Sequence, residues 1–92
     1  MMKHSEVYRA TLAKWGSEAQ YDQAIEECAE LITALKHLKR GKADENKVIA
    51  ELADVYLMVG QLSYMFGNDK LEQAVEEKLQ KLAALLEDEE GR

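Results

Sequence analysis

The chain has 92 residues, 47% of them apolar, with no proline, five glycines and a formal charge of −6. That length allows one domain, 1–92, with a core small enough that self-association is a natural supplement, and the apolar fraction argues against disorder. The acidic balance argues against a broad nucleic-acid contact, which needs a basic surface, and the single Cys28 offers neither an intrachain disulfide nor a thiolate metal site.

The pattern predicts an all-α fold, four helices arranged as two hairpins in a bundle-like core. The first candidate is "SEVYRATLAKWG", with Ser5 as cap and Gly16 as stop; Tyr8, Leu12 and Trp15 share one side. "SEAQ", Ser17 to Gln20, has the form of a capping box and opens the second helix. That helix runs to about Arg40, and its last turns hold Lys36, His37, Lys39 and Arg40, where cations suit the helix dipole. Asp44 caps the third helix, which ends near Phe66 and Gly67; Asn68 caps the fourth, carried by Leu71, Val75, Leu79, Leu82 and Leu86. The turns are short, so consecutive long helices should lie antiparallel. Glu87 to Glu90 read as a frayed, solvated end. No basic stretch leads into an apolar leader and no apolar run reads as membrane length, so a cytoplasmic protein without a membrane partner is the expectation.

Five acidic residues, Glu26, Glu27, Glu30, Glu51 and Asp54, stand among these apolar residues. At about 100° per residue, Tyr21, Ala24, Ile25, Cys28, Leu31, Ile32, Leu35 and Leu38 form the apolar arc of the second helix. Cys28 then reads as a small packed hydrophobe. Glu27 and Glu30 lie together on one flank of the arc, and Glu26 points toward the opposite face. On the third helix, Val48, Leu52, Val55, Met58, Val59, Leu62, Met65 and Phe66 form the arc. Glu51 falls inside it and Asp54 at its edge. Glu30 and Asp54 are equidistant from Lys42 in the turn, so the two acidic pairs reach the same height on facing helices. Four converging carboxylates either hold hard cations or repel one another. An all-oxygen set suits Mg²⁺ or Mn²⁺ and disfavours zinc. The competing reading is a solvated or ion-paired surface, with Glu27 bound to Gln23 and Glu51 to Lys47.

On the fourth helix Lys78 falls within the apolar arc and Lys81 at its edge. Lys78 either closes a salt bridge or meets a phosphate; Lys81 reads as solvated. His4 and His37, near helix ends, read as surface residues.

The ordered pair "EECAE" (Glu26 to Glu30) and "ELAD" (Glu51 to Asp54), with the lead-in "KWGSEAQYDQAIEECAEL", resembles the MazG-like superfamily of all-α nucleoside triphosphate pyrophosphohydrolases from about Trp15 to Lys81. The resemblance implies Mg²⁺-dependent hydrolysis (Mn²⁺ being possible) of a nucleoside triphosphate between the α and β phosphates, giving a monophosphate and pyrophosphate. It implies Glu27, Glu30, Glu51 and Asp54 as metal ligands and a supporting catalytic role for Glu26 in orienting water or a basic neighbour. It implies phosphate contacts from Lys78, with Lys81 beside it, and a homodimer or dimer-of-dimers tetramer completing the pocket. Trp15 and Gln20 would then face the nucleobase; the alternative for Trp15 is packing of the first helix onto the bundle. Phosphoribosyl-ATP and dUTP pyrophosphatases share the motif, and a non-catalytic helical interaction module is the rival from another class.

Overall fold

Gly16 sets the shape of the N-terminal third. In the computed structural model, which describes residues 2–90, α1 (His4–Lys39) is interrupted at Gly16, with φ 84° and ψ 172°, a conformation essentially reserved for glycine. The two expected helices are thus an arm, from His4 to Trp15, and a long rod, joined through one residue. The arm starts after Lys3 with no side-chain cap, so Ser5 lies inside the helix and does not cap it. The rod ends in a Schellman arrangement: Lys42 N–H donates to the His37 carbonyl at 2.8 Å, Gly41 N–H donates to that of Leu38 at 3.0 Å, and Gly41 takes φ 71°.

Asp44 caps α2 (Glu45–Phe66) as expected, its carboxylate accepting from Lys47 N–H at 3.0 Å. The end of α2 departs from expectation. Asn68 already belongs to α3 (Asn68–Glu90), and its side chain accepts from the Ser63 hydroxyl at 2.6 Å. The first α3 amide bond, from Leu71, goes to the Gly67 carbonyl. Helix α3 continues through Glu90 where fraying was expected. Glu87 and Asp88 are exposed; the side chains of Glu89 and Glu90, like Met1, Gly91 and Arg92, lie outside the described residues.

The rod of α1 packs along α2, while α3 contacts α2 sparsely and borders a cavity with the arm. The seam has heptad spacing. On α1 the buried or half-buried positions include Gln20, Ala24, Glu27, Leu31, Ala34 and Leu38; on α2 they include Val48, Glu51, Val55, Met58, Leu62 and Met65. Two acidic residues therefore occupy core positions. This face is rotated from the predicted arcs: Ile25, Cys28, Ile32 and Leu35 on α1, with Leu52, Val59 and Phe66 on α2, are exposed. Each apolar arc is wider than one partner helix can cover, and the hairpin uses the flank nearest the carboxylates. Cys28 is consequently not packed.

The radius of gyration is 16.7 Å, against roughly 12 Å for a compact chain of this length. Among the described residues no large side chain is fully buried, and three of the six buried ones, Gln20, Glu51 and Gln61, are polar. Nor is α2 as far from membrane length as the sequence suggests. Its 22 residues and window hydropathy of 1.2 make it long and apolar enough to span one. Any such span would carry Glu51 and Asp54 to hydrocarbon depth, at high cost.

A Cβ at Gly16 would meet nothing within 4 Å, so Gly16→Ala isolates the backbone cost. That variant should lose about 1–3 kcal/mol in urea unfolding; wild-type stability would show that the break is not maintained in solution.

Candidate functional site

The α1–α2 seam brings Glu27, Glu30, Glu51 and Asp54 together. One carboxylate oxygen from each lies within 4.8 Å of the other three. Glu27 and Glu51 reach this point because they hold seam positions; Glu30 and Asp54 join from the rim, one turn along their own helices. Glu51 is 5% exposed, a depth at which an ionised carboxylate needs compensation.

Part of that compensation comes from the chain. Lys47 Nζ lies 2.8 Å from Glu51 Oε1, and Gln23 Nε2 donates to Glu27 Oε1 at 2.8 Å. Both ion-pair alternatives raised by the sequence are therefore realised, but each satisfies one oxygen only. Oε2 of Glu27 and Oε2 of Glu51 are buried without a hydrogen-bond partner. The neighbours of these carboxylates are other carboxylates, Asp54 beside Glu27 and Glu51 beside Glu30. Two ionised acceptors facing each other make no hydrogen bond.

The electrostatics follow. Loss of water, then the Asp54 carboxylate and more weakly Glu30, push the Glu27 carboxyl above its ordinary range, against the Gln23 amide. Glu30 is raised by loss of water and by the charges of Glu51 and Glu26, with Lys47 opposing. The Glu51 carboxylate raises Lys47. Two orphaned, buried oxygens in an all-carboxylate set form a donor group suited to a hard cation. Their mutual spacing is comparable with the roughly 4–5 Å across the oxygen shell of Mg²⁺ or Ca²⁺. The residues fit a hard divalent ion.

Two cavities flank the cluster. One is lined by Glu26, Glu30, Thr33, His37, Lys47 and Glu51 among others. Glu26, expected to face away, thus borders the same cleft as Glu30 and Glu51, and His37 borders it too, although both are exposed. The other, of about 490 Å³, lies between the arm, the rod and α2, and includes Tyr8, Thr11, Trp15, Gln20, Gln23 and Gln61. Both residues suggested for the nucleobase line it. Trp15 is 59% exposed, with Lys14 Nζ 4.8 Å from its ring centre, so it does not serve to pack the arm. Gln23 connects this cavity to the cluster through its bond to Glu27.

Lys78 and Lys81 are not brought to the site. Both are exposed on α3, whose packing within the chain is a sparse contact with α2 and a cavity shared with the arm at His4, Ser5 and Tyr8. Sequence reasoning missed Thr11, Gln23 as a cavity residue, and Gln61. Gln61 repeats the direction of Asp54 seven residues on, but nothing in the sequence marks a glutamine there as functional.

A family model, the MazG nucleotide pyrophosphohydrolase domain, matches residues 16–85. No curated protein and no solved structure gives a match.

Without a divalent ion, Glu27 and Glu30 hold protons to higher pH in the folded chain than in the unfolded one. Their contribution favours the fold below the ordinary value of 4.5 and is lost as pH rises through the raised folded values. The double variant Glu27→Gln/Glu30→Gln should therefore melt above the metal-free wild type at pH 7 and converge with it toward pH 4. Parallel melting curves across that range would contradict the proximity of the four carboxylates.

Proposed function

The chain belongs to the MazG nucleotide pyrophosphohydrolase family, and from that premise we propose that it hydrolyses a nucleoside or deoxynucleoside triphosphate to the monophosphate and pyrophosphate. The observation that carries the proposal is the four-carboxylate seam with two buried, unpartnered oxygens, which lies within the matched segment. Glu27, Glu30, Glu51 and Asp54 would hold Mg²⁺, with Mn²⁺ as a substitute of the same ligand preference. Such ions supply Lewis acidity toward the triphosphate and toward the attacking water.

The chain's own groups would do the rest. Glu26, bordering the cleft beside Glu30, would orient water toward the α phosphorus. The bond from that phosphorus to the α–β bridging oxygen breaks, and pyrophosphate departs with that oxygen. Lys47 limits repulsion by neutralising Glu51 from the rim. Trp15 and Gln20 would receive the nucleobase in the cavity they line. The phosphate role suggested for Lys78 and Lys81 would be played toward a second copy, since both are exposed on α3 of their own chain.

A second copy is also what the apolar surface calls for. Ile25, Ile32 and Leu35 form a bare stripe at heptad spacing on α1, Leu52, Tyr56 and Val59 another on α2, and Leu71, Val75, Leu79, Leu82 and Leu86 a third on α3. A homodimer or dimer of dimers would cover them and complete a four-helix core. The reading carries a cytoplasmic location with it, and neither nucleic acid nor membrane as partner.

Incubation of a nucleotide panel, including dUTP and phosphoribosyl-ATP, with Mg²⁺ should release pyrophosphate and monophosphate. Glu51→Gln should lower the rate on the order of 100-fold or more. Stepwise release of phosphate, or full activity in Glu51→Gln, would refute the assignment. Light scattering should give a multiple of 10.4 kDa, with Leu79→Glu shifting the mass toward one chain; a wild-type monomer would refute the assembly.

A further inference from the structure

The arm is held on α2 by a device that the carboxylate chemistry leaves unexplained. Gln61 is 3% exposed, in the interior of a largely apolar stretch of α2, and both ends of its amide are engaged. Its Nε2 donates to the Tyr8 carbonyl at 3.0 Å, and its Oε1 accepts from the Thr11 hydroxyl at 2.6 Å. Both partners are on the arm, across the Gly16 break. Beside it, Gly60 makes a notch filled by the Tyr8 phenol; a Cβ there would stand 2.6 Å from Tyr8 Cζ. On the other side, Gln20 Nε2 makes a long contact, 3.5 Å, to the Thr11 carbonyl. Apolar burial contributes little, since Val7 and Trp15 are 40% and 59% exposed.

The arm therefore sits on a polar latch, and four of its residues, Val7, Tyr8, Thr11 and Trp15, wall the cavity of about 490 Å³. It also precedes the matched segment 16–85. Gln61 follows Asp54 by seven residues, two turns or about 10 Å along the same face of α2. A ligand whose phosphates met the carboxylates would extend its nucleoside end toward the latch.

We infer that Gln61 is a positioning residue that latches the arm about Gly16, so that Thr11 and Trp15 form the wall of the nucleoside subsite. The inference rests on the reading of the carboxylate seam as the site of triphosphate hydrolysis. Gln61 commits one N–H and one carbonyl lone pair to the arm and acts through the arm. The latch governs nucleotide affinity, while the carboxylates govern the chemical step.

Gln61→Leu removes both latch bonds at similar volume; Thr11→Val removes one, and Thr11→Ser restores it. Gln61→Leu and Thr11→Val should raise KM roughly tenfold with kcat within about twofold, leaving Mg²⁺ affinity by calorimetry unchanged. Trp15, the single tryptophan, should become more accessible to acrylamide quenching in both, and Thr11→Ser should match wild type in every measurement. Unchanged KM and quenching in folded Thr11→Val and Gln61→Leu would overturn the inference. So would a fall in kcat together with Mg²⁺ affinity, which would make Gln61 a support of the hairpin itself. A wild-type protein that turns over no nucleotide would sink the proposed activity instead, and the latch would still be judged by Trp15 quenching. If Gln61→Leu does not fold, Thr11→Val against Thr11→Ser decides.

Discussion

Repulsion among Glu27, Glu30, Glu51 and Asp54 is the constraint on which the rest of the molecule turns. A helical hairpin ordinarily closes by burying apolar side chains along its seam, yet here two of the seam positions are glutamates and the oxygens of four carboxylates approach within 4.8 Å. Lys47 and Gln23 relieve one oxygen each. The relief is incomplete, so the hairpin is stabilised by whatever supplies positive charge between the helices. Binding of a cation and closure of the hairpin are then one equilibrium: free energy of binding to the folded form adds to its stability. A seam made of alanine and leucine would hold better without metal and have nowhere to put one.

The same choice explains the elongated shape. Carboxylates and amides displace apolar residues from the seam, and the displaced apolar stripes, Ile25–Ile32–Leu35 on α1 and Leu52–Tyr56–Val59 on α2, face outward. Each long helix thus has two edges of different character. The edge that carries the carboxylates among apolar residues meets its neighbour within the chain, and an apolar stripe is left for contact beyond it. Helix α3 takes this furthest, with nearly every residue from Leu71 to Leu86 exposed. At this chain length, burying both edges within one copy would need more helices than the sequence contains.

How far the sequence was legible follows from this division. Glu51 could be picked out because a carboxylate inside an apolar arc breaks the helical pattern, and its pairing with Glu27, Glu30 and Asp54 followed from counting residues to a well-signalled turn. Gly16 was legible as an interruption, but not as a single-residue break, because periodicity restarts on both sides regardless of the angle between them. Which flank of each arc would be covered was not legible. A wide arc specifies that a helix has partners and leaves open which partner takes which edge, so Cys28 and Leu52 were placed inside when they are out. Lys78 is a related case: its direction on α3 was readable, but not how sparsely α3 packs on α2 within one copy. Glu26 was placed by angle alone, and a cleft is wider than the angular difference between adjacent flanks. Gln61 escaped because glutamine is unremarked on either face of a helix, and only a bonding partner fifty residues away makes it significant.

Along the seam the polarity is graded. Gln20 and Gln61 occupy the end near the arm, the carboxylates the middle, and Ala34 and Val48 the end near the turn. Neutral amides beside the cavity can hold a polar, uncharged group without adding to the repulsion further along. Anionic groups concentrated at mid-seam attract cations. Small side chains at the closed end let the helices approach and fix the register in which Glu27 meets Asp54. Moving Gln61 or Glu51 by one heptad would preserve the helices and their apolar spacing, yet place an amide where charge must collect or a charge where the arm must dock. The order of these residues along the seam is thus a constraint separate from their identity, and it is the order that gives the cleft a neutral end and a charged one.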